Sequence, residues 1–411
     1  MSRPLPFYKF ASGGVAYLPP APSARSGRAM IRGFAELKEG GTTLVVPKQS
    51  AESMGPATEP AFFNPRGRTV RDLAVLAFSA YCDGKPPGRM LDPLAGVGSK
   101  ALRALVEGKG VDEAWVNDLN PSSMKAAALA ARTNGVSSML RTSVMEAHSF
   151  LESAAKKGSR SDIIDIDPFG SPTGYVEPAL RALKDGGLIS VTATDTAPLN
   201  GLYRNVSFRK YFGFGLRTDY SREVGLRLLC GMVVRRAMSL DSVARPVFVH
   251  SDQHYMRAYL LFERSAGAAN AAVAEFGYIS HCFSCGHRES GGEPKPRCAG
   301  CGSRMHAAGP LWLGRVFESG LVKGMARHAL TPWLARHGKL LALCASEKVH
   351  VPYYFRLPDI ADGMGVPSGS PARVAESLRE TGFSAEVCPL DPQGVRTDAG
   401  IVEVKRALGP A

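Results

Sequence analysis

The chain has 411 residues, 45% of them hydrophobic, with 44 Gly and 29 Pro. Single cores stop growing near ~250 to 300 residues, so two or three domains are expected. Lys and Arg number 50 against 37 Asp and Glu, a formal charge of +13, which favours a polyanionic partner because cations that neutralise phosphates release condensed counterions. An ordinary basic enzyme stays open on charge alone. Residues 1–29 carry no apolar run of signal-peptide length, and no stretch reaches the ~18 apolar residues of a membrane span. A cytoplasmic protein with no membrane partner is expected. Residues 1–29 read as a disordered arm or a misassigned start, and ordinary folded sequence begins at Met30.

From about Pro60 to Arg264 short apolar strands alternate with helical patterns, which predicts a parallel sheet covered by helices on both faces. A helix is expected from Thr69 to Ala80, with Leu73, Leu76 and Ala77 on one face. A strand from Met90 to Leu94 follows, then the loop Ala95-Gly96-Val97-Gly98 and a helix from Ser99 to about Gly108. The next strand, Ala114 to Val116, ends in Asn117-Asp118 and leads into a helix from Pro121 to about Thr133, with Pro at its first turn and Asn134-Gly135 past its end. Ile163 to Ile166 and Leu188 to Thr194 read as two further strands.

Two of these junctions carry chemistry. Gly96-x-Gly98-x-x-Ala101 lets a backbone approach a ligand where a strand feeds a helix, and Asp118 is placed to bond ribose hydroxyls. A nicotinamide dehydrogenase would offer the same glycines and acid, and plain turn chemistry would explain the glycines alone. Asp92, directly before the loop, suits the cationic methionine end of S-adenosylmethionine better than it suits a pyrophosphate. The second junction is Asp165-Ile166-Asp167-Pro168-Phe169-Gly170, a carboxylate at a strand end followed by a rigid proline and an aromatic. An exocyclic base amine has its lone pair delocalised into the ring and needs a carboxylate to accept its N–H. Phe169 would stack on a flipped base. A bare Asp-Pro turn remains the plainer alternative.

Further along, Arg204, Arg209, Lys210 and Arg217 interleave with Tyr203, Phe208, Tyr211, Phe212 and Phe214, and no acid lies between Gly201 and Thr218. That pattern suits phosphate contacts flanked by stacking, or a solvated loop with its aromatics turned inward. Gly267 to Ala274 reads as a linker or a short helix. Cys282, Cys285, Cys298 and Cys301 form two pairs, each followed by a glycine, Gly286 and Gly302. This is zinc-ribbon spacing for a closed structural Zn2+ site, and disulfides are the alternative. Cys82, Cys230, Cys344 and Cys388 are isolated and expected in cores. From Leu321 to Pro358, Lys323, Arg327, Arg336, Lys339, Lys348 and Arg356 face Glu347 alone, the balance of an RNA-gripping surface. Ser370-Pro371 is expected to cap a helix through Glu380, ended by Gly382.

In these segments the chain resembles the tRNA guanine-26 N2-dimethyltransferases, from about Lys38 to Gly400. The resemblance is carried by Phe63-Asn64-Pro65 with Arg71-Asp72, Leu91-Asp92 with its loop, Asn117-Asp118 and Asp165 through Pro172. It continues in Val191-Thr192-Ala193-Thr194-Asp195, Arg209-Lys210-Tyr211, Gly309-Pro310-Leu311-Trp312, Lys339 to Val387 and Gly394-Val395-Arg396-Thr397-Asp398. Its implied fold is α/β: a Rossmann-like class I methyltransferase domain with a mostly parallel doubly wound sheet over 30–264, and a smaller α/β tRNA-binding domain over 265–411 with a zinc-ribbon-like insert at 282–301. Arg71, Asp118 and Glu146 are implied to contact S-adenosylmethionine and Asp167 to be the catalytic base, with Pro168 and Phe169 beside it. Asp92, Gly96, Gly98, Lys100 and Ala147 complete the expected cofactor set. Lys100, Glu146 and Ser221-Arg222-Glu223 depart from the family's more frequent residues. The expected partner is tRNA, with no DNA, and a monomer is compatible with the sequence. The alternatives are a different RNA guanosine or adenine amino group, or a non-catalytic zinc-bearing RNA-binding protein.

Overall fold

A computed structural model describes residues 31–409 except Met54 and Lys157, so the expectation for residues 1–29 lies outside the described residues. The chain separates into two compact units, 1–166 with 181–184, and 167–180 with 185–411. The largest sheet has seven strands: β1 Gly88–Asp92, β2 Val111–Asn117, β3 Leu140–Ser143, β4 Ser161–Ile166, β5 Leu183–Ala193, β6 Val243–Asp252 and β7 Tyr255–Glu263. Their spatial order is 3-2-1-4-5-7-6. β1 pairs in parallel with β2 and β4, and β2 with β3, whereas β7 runs antiparallel to both β5 and β6. The direction of travel across the sheet reverses between β1 and β4, and open α/β sheets bind ligands beyond the strand ends at such a point.

In the first unit, strands Phe34–Glu39 and Thr42–Pro47 form an antiparallel pair, and the helix Arg68–Cys82 lies at the centre of the packing. Every residue from Val70 to Cys82 is buried, so the expected single apolar face extends right round the helix. β1 stops at Asp92 rather than at Leu94: it is an interior strand, and Pro93 has no N–H to give to the ladder. The helix Ser99–Glu107 starts from Gly98 in a left-handed conformation, and the helix Pro121–Thr133 is capped by Asn120, whose side chain accepts from the Ser122 N–H.

The second unit contains the long helix Ser221–Met238, thirteen of whose residues are buried. Ala266–Ala272 is a helix that continues as a 3-10 turn through Glu275, not a linker. A three-stranded sheet of Phe276–His281, Arg288–Gly291 and His306–Trp312 carries the four clustered cysteines. A second one, Phe355–Arg356, Gly394–Thr397 and Ala385–Val387, packs with the helices Leu357–Met364, Pro371–Glu380 and Ile401–Leu408 around Leu357, Val374, Leu378, Val395 and Val404. Ser370 occupies the cap position of Pro371–Glu380, but its side chain makes no capping bond. Pro371 at the first turn and Gly382 at φ 93° mark the two ends instead. Among the described residues no helix is long and apolar enough to cross a membrane.

Candidate active site and cysteine centre

The edge formed by the ends of β1, β2 and β3 is assembled from short local turns. Asp92 closes β1 and is fully buried. Gly96 and Gly98 follow at φ 53° and 73°, conformations that L side chains rarely adopt. A Cβ on Gly96 would stand 2.9 Å from the Phe62 carbonyl oxygen, so the loop admits no side chain there. Asp118, just past β2, accepts from the Gly96 N–H at 2.9 Å through one oxygen and from the Asn120 N–H at 2.8 Å through the other. Both bonds fix the carboxylate at the mouth of the glycine loop.

Asn117 ties this edge together, a role its sequence position alone did not reveal. Its amide donates to the carbonyls of Pro93 and Met145, and its oxygen accepts from the Ser143 hydroxyl and the Met145 N–H. Three strand-end loops therefore converge on one buried side chain. Glu146 follows directly and caps the helix Ala147–Ala154, accepting from the Ser149 N–H at 3.0 Å and lying 2.7 Å from His148 Nδ1. Against the burial penalty, the bonds from His148 and Ser149 hold its carboxyl below the usual range. Ala147 is buried behind it. Leu119 is 69% exposed beside Asp118 and offers an apolar surface that sequence reasoning had not singled out.

Arg71, Arg103 and Lys100, on segments around the loop, are each paired with acids. Arg71 donates twice to Glu39, both at 2.6 Å, and once to the Asn64 carbonyl. Arg103 is held by Asp72, Glu39 and Glu107. Lys100 lies 2.7 Å from Asp165, with both side chains buried. The edge thus carries three acids, Asp92, Asp118 and Glu146, while Arg71, Arg103 and Lys100 are each paired with carboxylates. Carboxylates of this kind, as hydrogen-bond acceptors and negative charges, fit an ammonium, a sulfonium and a ribose diol, whereas a dinucleotide's pyrophosphate would need cations or open N–H groups.

In the second unit, Asp167 is half-buried, Pro168 buried and Phe169 72% exposed. Gly170 then turns at φ 73°. Asp195, beyond the end of β5, accepts from Lys210 at 2.9 Å and from the Tyr211 hydroxyl. The segment expected to be basic and aromatic contains the helix Arg204–Tyr211. Tyr203, Arg204, Phe208, Arg209 and Arg217 are exposed, while Tyr211 is buried and Phe208 stacks on Phe214 at 4.8 Å between centroids. Within this segment some aromatics turn in and some stay out. Between 321 and 358, Lys323, Arg327, Arg336, Lys339 and Lys348 are exposed, and the lone acid Glu347 turns inward to Arg396 at 3.0 Å.

Cys282, Cys285, Cys298 and Cys301 converge, with all four sulfurs within 4.8 Å of one another. Cys282 and Cys301 lie 3.5 Å apart, Cys285 and Cys298 3.6 Å. Four thiolates around one tetrahedral zinc at ~2.3 Å would be about 3.8 Å apart, and a disulfide would need ~2.05 Å. The two turns are closed alike: the Gly286 N–H donates to Cys282 and the Gly302 N–H to Cys298, both at 2.9 Å. Bonds from Ser303 and the neighbouring thiols pull the Cys301 thiol down to about 6. Cys82, Cys230, Cys344 and Cys388 are buried and unbridged.

Residues 40–409 match the family model described as N2,N2-dimethylguanosine tRNA methyltransferase. A tRNA (guanine(26)-N(2))-dimethyltransferase of Methanothermobacter thermautotrophicus is 35% identical over 90% of this chain and 98% of its own length. A tRNA (guanine(26)-N(2)/guanine(27)-N(2))-dimethyltransferase of Aquifex aeolicus is 30% identical over 88% and 92%. Among solved structures, Trm1 from Pyrococcus horikoshii with S-adenosyl-L-methionine superposes with a TM-score of 0.78 at 25% identity, covering 91% of this chain and 99% of that one. With the glycine loop, its acidic edge and the seven-stranded order in place, the chain belongs to the N2,N2-dimethylguanosine tRNA methyltransferase family.

Proposed function

We propose that this chain transfers one or two methyl groups from S-adenosylmethionine to the exocyclic N2 of guanosine 26 in tRNA. The observation that carries this reading is the acidic ligand edge in a member of this family: the flanking cations are neutralised internally, and Asp118 is fixed by two backbone N–H groups. Asp118 holds the ribose hydroxyls, Asp92 and Glu146 face the cationic and polar ends, and Gly96, Gly98 and Ala147 shape the backbone around them. Arg71 and Lys100 contribute least directly, because Glu39 and Asp165 already hold their charges. The cofactor supplies an electrophilic methyl group on a sulfonium centre.

Guanine's N2 amine is a poor nucleophile and must lose one proton for each methyl gained. Asp167 accepts that proton, which leaves the amine electron-rich. Asp165 and Asp195 hold Lys100 and Lys210 respectively. Phe169, 72% exposed, stacks on the flipped base, and Pro168 fixes the turn between them. N2 carries two hydrogens, so two rounds exhaust the site. Residues 265–411 and the exposed face of Arg204–Tyr211 grip the phosphates of the tRNA, and the four thiolates hold a structural Zn2+.

Purified protein incubated with the cofactor and a tRNA transcript should yield N2-methyl- and N2,N2-dimethylguanosine on digestion. A transcript with adenosine at position 26 should bind and stay unmodified there. Methylation of adenosine, or of guanosines other than 26 and its neighbour, would overturn the assignment.

A further inference from the structure

The segment that carries Asp167 turns at an exposed tip beyond the buried Pro168. Phe169 is largely in solvent, Gly170 is left-handed at φ 73°, and no atom lies within 4 Å of the Cβ position of Gly170. Gly170 and Ser171 are bonded to residues 24 and 40 positions further along the chain.

The Gly170 N–H donates to the Thr194 hydroxyl at 2.6 Å, and the Gly170 carbonyl accepts from the Thr194 N–H at 2.9 Å. The Asp195 N–H reaches the same carbonyl at 3.4 Å. One residue further on, the Ser171 hydroxyl donates to Tyr211 Oη at 3.2 Å. Tyr211 donates in turn to one oxygen of Asp195, whose other oxygen accepts from Lys210 at 2.9 Å. Burial, followed by the Asp195 carboxylate, pushes the Tyr211 phenol up, so it stays a donor at working pH. Lys210 and Tyr211 end the helix Arg204–Tyr211, whose Arg204, Phe208 and Arg209 are exposed. The basic, aromatic face and the Asp167 loop are therefore joined by one hydrogen-bonded chain.

We infer that Thr194 and Tyr211 are positioning residues that clamp the Asp167–Pro172 loop in its reactive arrangement and tie it to the helix Arg204–Tyr211. The inference rests on the reading of Asp167 as the base. Neither residue touches the reacting atoms; both act through the backbone of Gly170 and the hydroxyl of Ser171. A misplacement near 1 Å can cost about a hundredfold in rate without loss of binding.

The test compares Thr194→Val, Thr194→Ser, Tyr211→Phe and Asp167→Asn in single-turnover methylation of full-length tRNA, with tRNA and cofactor affinities and thermal midpoints measured alongside. Thr194→Val removes the acceptor for Gly170 and is expected to slow methylation about 10- to 100-fold with both affinities within about twofold of wild type. Thr194→Ser restores the hydroxyl and the rate. Tyr211→Phe breaks the relay while keeping the ring and should show a smaller loss of rate at unchanged affinity, which decides the matter should Thr194→Val fail to fold. Wild-type rates in Thr194→Val and Tyr211→Phe would overturn the clamp, as would a rate loss matched by lost affinity or lost stability. If Asp167→Asn is inactive in that case, the base reading survives alone. If Asp167→Asn keeps the full rate, the base reading falls on its own evidence.

Discussion

The cysteine centre and the segment 201–218 lie in the same unit and are built in opposite ways. Each cysteine turn is closed by a bond that spans four residues, Gly286 to Cys282 and Gly302 to Cys298, so each ligand pair is an almost self-contained piece of chain. The basic, aromatic segment is held from outside: Phe214 pairs with Gly309, Arg235 donates to the Phe212 carbonyl, and Asp195 takes both Lys210 and Tyr211. The contrast shows that residue spacing discloses a site whose geometry is local, whereas a site shaped by distant partners leaves only a composition in the sequence.

The sharpest way to break that comparison is at the metal ligands. A local site should fail locally and completely, so Cys282→Ser or Cys298→Ser is expected to take zinc from one per chain to none. Cofactor affinity should remain near wild type, because the ligand edge belongs to the other unit. Metal analysis and calorimetry on the same preparations read both. Retention of the ion by either variant would show that the four thiolates do not act as one centre.

Asp167 stands between the two cases, since its place at a strand end is local while its support comes from afar. Asp167→Asn keeps the shape and loses the ability to take a proton. General-base catalysis is typically worth ~10² to 10⁴ in rate, so turnover should fall at least about a hundredfold with tRNA and cofactor binding nearly normal. A near wild-type single-turnover rate would move the assignment to Asp165 or Asp195.

Legibility in the sequence follows the same division. The helix Pro121–Thr133 is read to the residue because Pro121 and Asn134 mark its ends locally, and β4 is located by its apolar run Ile163 to Ile166, although it begins two residues earlier. The strand expected from Met90 to Leu94 runs from Gly88 to Asp92 instead: Leu94 continues the apolar pattern while Pro93 breaks the ladder, and two residues before Met90 already pair. Burial right round Val70–Cys82 is invisible, since Arg71 and Asp72 are charged and nothing nearby announces that Glu39 and Arg103 meet them. Glu223 and Arg396, 173 residues apart, pair in the core of the second unit. Ser221-Arg222-Glu223 drew notice only as a departure from family pattern, with nothing nearby to announce that its glutamate would be buried against an arginine.

A smaller effect tests whether the cofactor edge is as local as the cysteine turns. Asp118 is held by Gly96 and Asn120, within its own loop and the neighbouring one. Asp118→Ala should weaken S-adenosylmethionine binding by the loss of a charge-assisted bond, on the order of 1.5 to 3 kcal/mol, and should leave zinc content untouched. Unchanged affinity in a folded variant, measured by calorimetry, would remove Asp118 from the ligand set.

The smallest expected effect belongs to the region whose geometry is least local. Arg209 is exposed on the helix Arg204–Tyr211, and Lys210, next to it, is held by Asp195, so the two neighbouring cations have different duties. If Arg209 meets a phosphate, Arg209→Ala removes one ion contact from many: tRNA affinity should drop only several-fold at moderate salt, equally for transcripts with guanosine or adenosine at position 26. The slope of log affinity against log salt should shrink by about one. Lys210→Ala should behave otherwise, because losing the Asp195 partner disturbs the relay to Ser171 and lowers rate more than affinity. A titration series across salt concentrations, run on both variants, separates the two roles, and an unchanged slope for Arg209→Ala would show that the exposed face of this helix does not grip the backbone of the RNA.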